Sequence, residues 1–213
     1  MLPVNVRGMW IGTFHGLCNL LLRAHHQAAG LPQTFQILDT QDQLSAVKRV
    51  IKGMSLDEER FVPKQVTWFI AGAKEEGQRP AEVEARDAHG RKLVEVYQAY
   101  EAQCQREGVV DFAELMLRTY ELMRDNDALR EHYRHRFRHI LVDELQDTNR
   151  LQYEWLKMFA STGDAVRGLP PTSVLAVGDD DQSIYAFRGA LVGNMADFQR
   201  EFHVERLIRL EQN

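Results

Sequence analysis

The chain has 213 residues, of which 44% are hydrophobic and 27% are charged. This composition excludes an intrinsically disordered chain, and the length suits one large domain or two small ones. The formal net charge of −5 argues mildly against a broad nucleic-acid-binding surface, although a local basic groove is compatible with an acidic protein. Cys18 and Cys104 lack the spacing of a metal site, so we expect two buried thiols in a reducing compartment.

The first ten residues, MLPVNVRGMW, do not have the basic start and apolar core of a signal peptide. The longest apolar stretch, residues 8–22, is too short to cross a membrane and contains His15 and Asn19. We therefore expect a cytoplasmic protein without a membrane partner.

The first part of the chain predicts one strand followed by helices. Residues 9–14, MWIGTF, have the composition of a short buried strand, and the pattern is helical from there to about residue 138. Thr40 and Gln43 have the spacing of a capping box at the start of one helix. Further helices are predicted from Pro63 at a first turn, from Asp111 and Glu114 at a cap, and from two apolar stripes, Leu93-Tyr97-Tyr100-Cys104 and Leu129-Tyr133-Phe137.

The spacing of apolar residues changes after residue 138, from that of helices to that of strands separated by a helix. Residues 139–142, HILV, and 174–177, VLAV, are short and apolar, and the residues between them carry a helical stripe of Leu151, Trp155 and Phe159. Strand, helix and strand in this order predict a parallel βαβ unit with a right-handed crossover, in which Ile140, Leu141 and Val142 are buried. Residues 205–210, ERLIRL, suggest one more strand. The predicted fold class is α/β, a partial parallel sheet with a large all-helical insertion, and predominantly helical overall.

Acidic residues follow both predicted strands. Asp143 and Glu144 come after the first and Asp179 after the second, and the carboxyl ends of parallel strands lie at one edge of a sheet. Carboxylates gathered there suit Mg²⁺, and a neighbouring carboxylate can deprotonate a water that attacks a phosphoryl group. The alternative is that these acids only cap helices, with Asp147 or Thr148 capping the helix that begins near residue 149. Two acidic groups in one βαβ unit favour the first interpretation.

Several segments resemble the motifs of one enzyme family. LVDELQDTN, residues 141–149, resembles the Walker B segment of superfamily 1 helicases, and VGDDDQSIYAFRGA, residues 177–190, resembles their third motif. Three further segments match the family in the same order: GTFHGLCNLLLRAHH at 12–26, VDFAELMLR at 110–118 and IRLEQN at 208–213. The resemblance covers essentially the whole chain and is closest to the UvrD, Rep and PcrA group, DNA helicases that move 3′ to 5′ along single strands.

The resemblance implies roles for the residues around ATP. It assigns Mg²⁺ coordination to Asp143, the general base to Glu144, and contact with the nucleotide to Asp179 and Gln182, with Gln182 sensing the γ-phosphate. It assigns coupling between the ATP side and the DNA side to Arg188. The implied cofactors are ATP and Mg²⁺.

The resemblance also implies a DNA path. Tyr185 and Phe187 would stack on single-stranded DNA, and Thr13, Phe14 and His15 would lie along the same path. The alternatives are that Tyr185 and Phe187 are core residues of a short helix, and that His15 is a hydrogen-bonded core histidine. The expected partners are single-stranded DNA and junctions between single and double strands.

Two residues depart from the usual family pattern. Leu145 stands where relatives usually have Phe, which predicts a change in packing. Phe187 stands where the closest relatives often have Trp, which predicts weaker base stacking.

The sequence contains no G-x-x-x-x-G-K-[ST] segment, the loop with which this family grips ATP. We therefore expect a fragment of a helicase whose partner is the missing remainder. Residues 1–16 and 138–213 would belong to a RecA-like first motor domain, and residues 17–137 would form the helical insertion. The alternative is a non-catalytic module that binds DNA or protein, but such a module has no need of Asp143, Glu144 and Gln182.

One stretch is basic on this acidic chain. Residues 130–139, REHYRHRFRH, contain four arginines and three histidines. This composition predicts a weak contact with the DNA backbone, and the alternative is a solvated helix face that offsets nearby acids.

Overall fold

The computed structural model describes most of the chain, which divides into two compact units with a boundary between Leu122 and Met123. The described residues are 8–161, 163, 171–179, 194–202, 204 and 206–208. The division of the chain into residues 1–16, 17–137 and 138–213 stays a prediction. Among the described residues, no helix combines the length and the apolar composition needed to cross a membrane.

The first unit is helical. Its elements are α1 (Phe14–Ala24), β1 (Gln36–Ile37), α2 (Thr40–Gly53), α3 (Pro63–Glu75), a 3-10 turn (Pro80–Glu82), α4 (Ala88–Glu107), β2 (Val109–Val110) and most of α5 (Phe112–Asp125). The two short strands pair in parallel, so the prediction of an all-helical segment is wrong at these four residues. One face each of α2, α3 and α4 forms a common core, in which Val47, Ile70 and Tyr97 are fully buried. The helices predicted from the apolar stripes are therefore confirmed.

Two predictions are wrong: the strand at residues 9–14 and the residue that caps α2. Residues 9–13 do not form a strand, because Thr13 instead caps α1 by accepting a hydrogen bond from the Gly16 N–H at 3.2 Å. Met9 and Ile11, which a buried strand would cover, are 55% and 72% exposed. Asp39, and not Thr40, caps α2, since its carboxylate reaches the N–H groups of two residues in the first turn at 2.8 Å each. A carboxylate is also favoured by the positive end of the helix dipole.

A buried ion cluster, which we define as Lys74, Arg79, Asp111 and Glu114, joins the helices of the first unit. The Lys74 ammonium lies 2.8 Å from the Asp111 carboxylate and 2.9 Å from the Glu114 carboxylate, and all three side chains are at least 95% buried. The Arg79 guanidinium donates to both oxygens of Glu114 at 2.9 and 3.0 Å and also pairs with Glu101 of α4 and Glu121 of α5. The cluster therefore ties α3, α4 and α5 together.

The cations of this cluster decide the charge state of Glu114. Burial by itself would raise the pKa of the Glu114 carboxyl, but Lys74, Arg79 and Arg118 outweigh it and hold that pKa well below its usual range. Asp111 also accepts a hydrogen bond from the Glu114 N–H at 2.7 Å, so the predicted cap at the start of α5 is confirmed.

The second unit contains the predicted βαβ arrangement. Its elements are the end of α5, α6 (Asp127–Arg136), β3 (His139–Val142), a 3-10 turn (Leu145–Asp147), α7 (Arg150–Phe159), β4 (Ser173–Ala176) and α8 (Asn194–Glu201). β3 and β4 pair in parallel, in register from His139 opposite Ser173 to Val142 opposite Ala176. Residues 206–208 are not in a strand, and the rest of the predicted strand at 205–210 lies outside the described residues.

The burial of β3 differs from the prediction. Val142 is buried and Ile140 is half-buried, but Leu141 is 74% exposed. Alternate residues of a strand point to opposite faces, and the face that carries Ile140 and Val142 packs on the hydrophobic core that the described residues of this unit form. Neither Asp147 nor Thr148, the caps that the alternative interpretation names, caps α7; Asn149 does, and it forms a reciprocal capping box with Gln152.

We predict that Glu114→Gln lowers the free energy of unfolding by about 3–5 kcal/mol at neutral pH, because it leaves buried cations without their counter-charge. Urea denaturation followed by circular dichroism measures this. The folded-state pKa of Glu114 is depressed, so its stabilisation should be present above about pH 4, where unfolded glutamate is ionised, and should be lost as the pH falls further.

Glu107→Gln is the matched control for this prediction. Glu107 pairs with Arg49 at 3.2 Å, but the two side chains are 42% and 57% exposed, so the expected loss is at most about 1 kcal/mol. Equal losses from Glu107→Gln and Glu114→Gln would show that the buried cluster has no special role in stability.

Candidate active site at the ends of two parallel strands

The acidic segments after β3 and β4 lie at the same end of the sheet. Beyond the strands, the Val177 N–H donates to the Val142 carbonyl at 2.8 Å and the Leu145 N–H donates to the Val177 carbonyl at 3.0 Å. These two bonds continue the pairing into the turns that carry Asp143 and Glu144 on one side and Asp179 on the other. The structure therefore brings the backbone segments that carry Asp143, Glu144 and Asp179 to one end of the sheet.

A side chain to which the sequence analysis gave no role connects these two turns. Gln146 is only 3% exposed, and its Nε2 donates to Glu144 Oε2 at 2.6 Å. Its Oε1 accepts the Asp179 N–H at 3.1 Å. The only signal in the sequence was an amide residue inside the acidic LVDELQDTN segment, and that does not by itself predict a partner 33 residues away.

The backbone at Glu144 is in an unusual conformation. Its φ of 52° and ψ of 46° lie in the left-handed region, which costs a non-glycine residue roughly 1–2 kcal/mol. The next residue, Leu145, is fully buried, and its carbonyl accepts from the Thr148 hydroxyl at 2.7 Å and from the Thr148 N–H at 3.2 Å. The buried Leu145 thus anchors a sharp turn that leaves the carboxylates of Asp143 and Glu144 exposed to solvent.

The oxygen donors at this end of the sheet suit a hard cation. Asp143, Glu144 and Asp179 offer carboxylates, and Asp147 adds a buried Oδ1 that accepts no hydrogen bond from the described residues. Mg²⁺ prefers such oxygens and is usually held by one or two carboxylates together with phosphate and water. Among the described residues, no group of three or more His, Cys, Asp or Glu side chains is arranged to hold a metal ion.

Three predicted DNA contacts lie at the start of α1. Thr13 is exposed, and its hydroxyl is used as the helix cap. Phe14 and His15 are half-buried, and the His15 ring meets the edge of Phe112 with 6.0 Å between ring centroids. Burial lowers the pKa of His15, so it does not supply a positive charge at neutral pH. Contact of these three residues with DNA stays a prediction.

The other predicted site residues, Gln182, Tyr185, Phe187 and Arg188, lie outside the described residues. Their assignments, like the roles of Asp143, Glu144 and Asp179, stay predictions.

Comparison with known proteins places the chain in a family. The UvrD/REP helicase N-terminal domain model matches residues 2–203. DNA helicase II of Escherichia coli is 50% identical over 210 residues, which are 97% of this chain and 28% of that protein. DNA helicase II of Haemophilus influenzae is 50% identical over 208 residues, which are 97% of this chain and 27% of that protein. The ATP-dependent DNA helicase PcrA of Staphylococcus aureus is 35% identical over 207 residues, which are 96% of this chain and 27% of that protein.

The chain thus spans little more than a quarter of the length of these relatives. The family model, in contrast, covers almost all of this chain, including both strands and both acidic turns of the candidate site. The chain belongs to the UvrD/REP helicase family, whose N-terminal domain model it matches.

Proposed function

We propose that this chain is part of an ATP-dependent DNA helicase that moves 3′ to 5′ along single-stranded DNA and unwinds duplex, in DNA repair or replication. The observation that carries the proposal is that the segments bearing Asp143, Glu144 and Asp179 follow two parallel strands at the same end and are joined through Gln146, in a chain of the UvrD/REP family. Relatives bear the names DNA helicase II and ATP-dependent DNA helicase PcrA. We also propose that the protein is located in the cytoplasm, together with its DNA substrate.

Glu144 is the proposed general base. Its carboxylate is exposed and can accept the proton of a water that attacks the terminal phosphate of ATP. Asp143 is the proposed ligand of Mg²⁺, which when bound neutralises charge on the phosphates. Asp179, Gln182 and Arg188 complete the nucleotide side of the proposal, and Thr13, Phe14, His15, Tyr185 and Phe187 form its single-stranded DNA side.

We predict that the 213-residue chain by itself hydrolyses ATP no faster than a buffer blank, with or without single-stranded DNA. The reason is that its sequence contains no phosphate-gripping loop of the G-x-x-x-x-G-K-[ST] type. A phosphate-release assay measures this, with Glu144→Gln as the control for contaminating ATPases. DNA-stimulated turnover that Glu144→Gln abolishes would prove the prediction wrong.

In the full-length protein that contains this chain, we predict that Glu144→Gln lowers ATP turnover by at least about 100-fold while ATP and DNA still bind. The amide keeps the shape of the side chain but cannot accept a proton from water. Glu154→Gln is the matched control, because Glu154 lies on α7 in the same unit and only pairs with Lys157 near the surface.

An active Glu144→Gln protein would remove Glu144 from the role of base and would favour the alternative, a module that binds DNA or protein without catalysis. Loss of turnover in both Glu144→Gln and Glu154→Gln would point to instability rather than chemistry.

The basic stretch supports a contact with the duplex side of a junction. Arg130 donates to the Met123 and Arg124 carbonyls at the end of α5, and Arg134 donates to the Met158 carbonyl near the end of α7, so these two arginines hold α6 in place. The remaining basic residues form a basic surface that is exposed: His132, His135, Arg136, Arg138 and His139.

The chemistry of the basic surface suits duplex rather than single-stranded DNA. The aromatic residues of this stretch, Tyr133 and Phe137, pack on Phe159 of α7 with ring centroids 6.2 and 5.7 Å away. Single-strand binding depends on aromatic stacking with bases, whereas duplex binding can rest on phosphate contacts alone. Since the two aromatic residues of this stretch pack within the unit, the basic surface of arginine and histidine is of the second kind.

We predict that the double variant Arg136→Gln with Arg138→Gln binds a blunt DNA duplex more weakly. The slope of log affinity against log salt concentration should become shallower by about two, the change expected for the loss of two phosphate contacts. Fluorescence anisotropy over a salt series measures this. Arg91→Gln with Arg106→Gln is the control, because these exposed arginines of α4 change the net charge equally. Equal losses in the two double variants, or no binding by the wild type at low salt, would identify residues 132–139 as a solvated helix face.

A further inference from the structure

We propose that Gln146 is a positioning residue for ATP hydrolysis, which holds the Glu144 carboxylate in its working orientation and ties it to the end of β4. This inference rests on the proposed function, because it takes Glu144 as the general base. The observation behind it is the 2.6 Å hydrogen bond that Gln146 Nε2 donates to Glu144 Oε2.

The orientation of the Gln146 amide follows from its partners. The Asp179 N–H can only donate, so the amide oxygen of Gln146 must face it. The amide NH₂ group therefore faces the Glu144 carboxylate, which when ionised can only accept. Both ends of the amide are thus satisfied, as is needed for a polar side chain that is only 3% exposed.

Glu144 needs such a constraint. It is exposed and follows a strand end, where a long carboxylate side chain otherwise keeps rotamer freedom that opposes any one productive geometry. Gln146 cannot itself act as a base, and it contacts one oxygen, Oε2, which leaves Oε1 for a water. A buried donor fixed at both ends is therefore a means of orienting the base without taking part in the chemistry.

The same amide links the two turns of the candidate site. Its contact with the Asp179 backbone joins the segment after β3 to the segment after β4, across a parallel pairing that the two backbone bonds of Val177 extend. The position of the Glu144 carboxylate therefore depends on the position of the Asp179 backbone.

The test uses two variants of the full-length protein. Gln146→Met keeps the approximate length of the side chain but removes both hydrogen bonds, and Gln146→Glu keeps an acceptor for the Asp179 N–H while it replaces the donor to Glu144 with a like charge. We expect both to lower the kcat of DNA-stimulated ATP hydrolysis by about 10-fold or more, with the KM for ATP within about twofold of wild type. Gln152→Met is the matched control, because Gln152 only completes the capping box of α7, and it should lower the melting temperature without this change in kcat.

A combined variant separates positioning from a structural role. If Gln146 acts through Glu144, Gln146→Met should cause no further fall in single-turnover hydrolysis when Glu144→Gln is already present. A further fall, or parallel losses of kcat, ATP affinity and melting temperature in both Gln146 variants, would overturn the proposal.

The outcome also separates this inference from the proposed function. An inactive Glu144→Gln protein together with a fully active Gln146→Met protein overturns the positioning role alone. An active Glu144→Gln protein overturns the assignment of the base itself.

Discussion

The in-register parallel pairing of β3 and β4 is the constraint on which the candidate site depends. It sets Val142 opposite Ala176, and its continuation through Val177 brings the turn after β3 beside the turn after β4. A shift of two residues would move Asp179 by about 6.6 Å relative to β3, since a strand rises about 3.3 Å per residue. The Gln146 amide could then no longer reach both Glu144 and Asp179.

In the turn after β3, an unfavourable backbone conformation at Glu144 is followed by favourable burial of the Leu145 side chain. The left-handed conformation of Glu144 costs roughly 1–2 kcal/mol, whereas full burial of a leucine contributes about 1.5–3 kcal/mol. Leu145 is fully buried with Val142, Tyr153, Leu156 and Phe198, so its side chain offsets the cost of the turn that presents Glu144. Leu145 packs beneath the candidate site, and the change in packing expected from Leu in place of Phe stays a prediction.

The first unit uses buried charge for a different purpose. Its ion cluster joins residues of α3, the following turn, α4 and α5, and every carboxylate in it faces a cation. The cluster is therefore neutralised and structural, which contrasts with the exposed carboxylates after β3. Buried ion pairs contribute little net stability over apolar packing of the same volume, but removal of one partner is costly because it leaves an uncompensated buried charge.

The sequence by itself determined the helices of the first unit, the two strands of the second, their parallel order and the family. These features follow from residue periodicity and from motifs, which are properties of neighbouring residues. Periodicity also gave one wrong strand at residues 9–14, because an apolar run forms a strand only when another strand pairs with it.

Only the tertiary structure decided how the candidate site is built. The exposure of Leu141 depends on which face of the sheet is covered, and the choice of Asp39 and Asn149 as caps depends on side-chain geometry that propensity does not resolve. The link from Glu144 through Gln146 to Asp179 joins residues far apart in the chain, and it exists only because two strands pair in one register. Periodicity along the chain carries no information about such a contact, since the partners meet only after the sheet has formed.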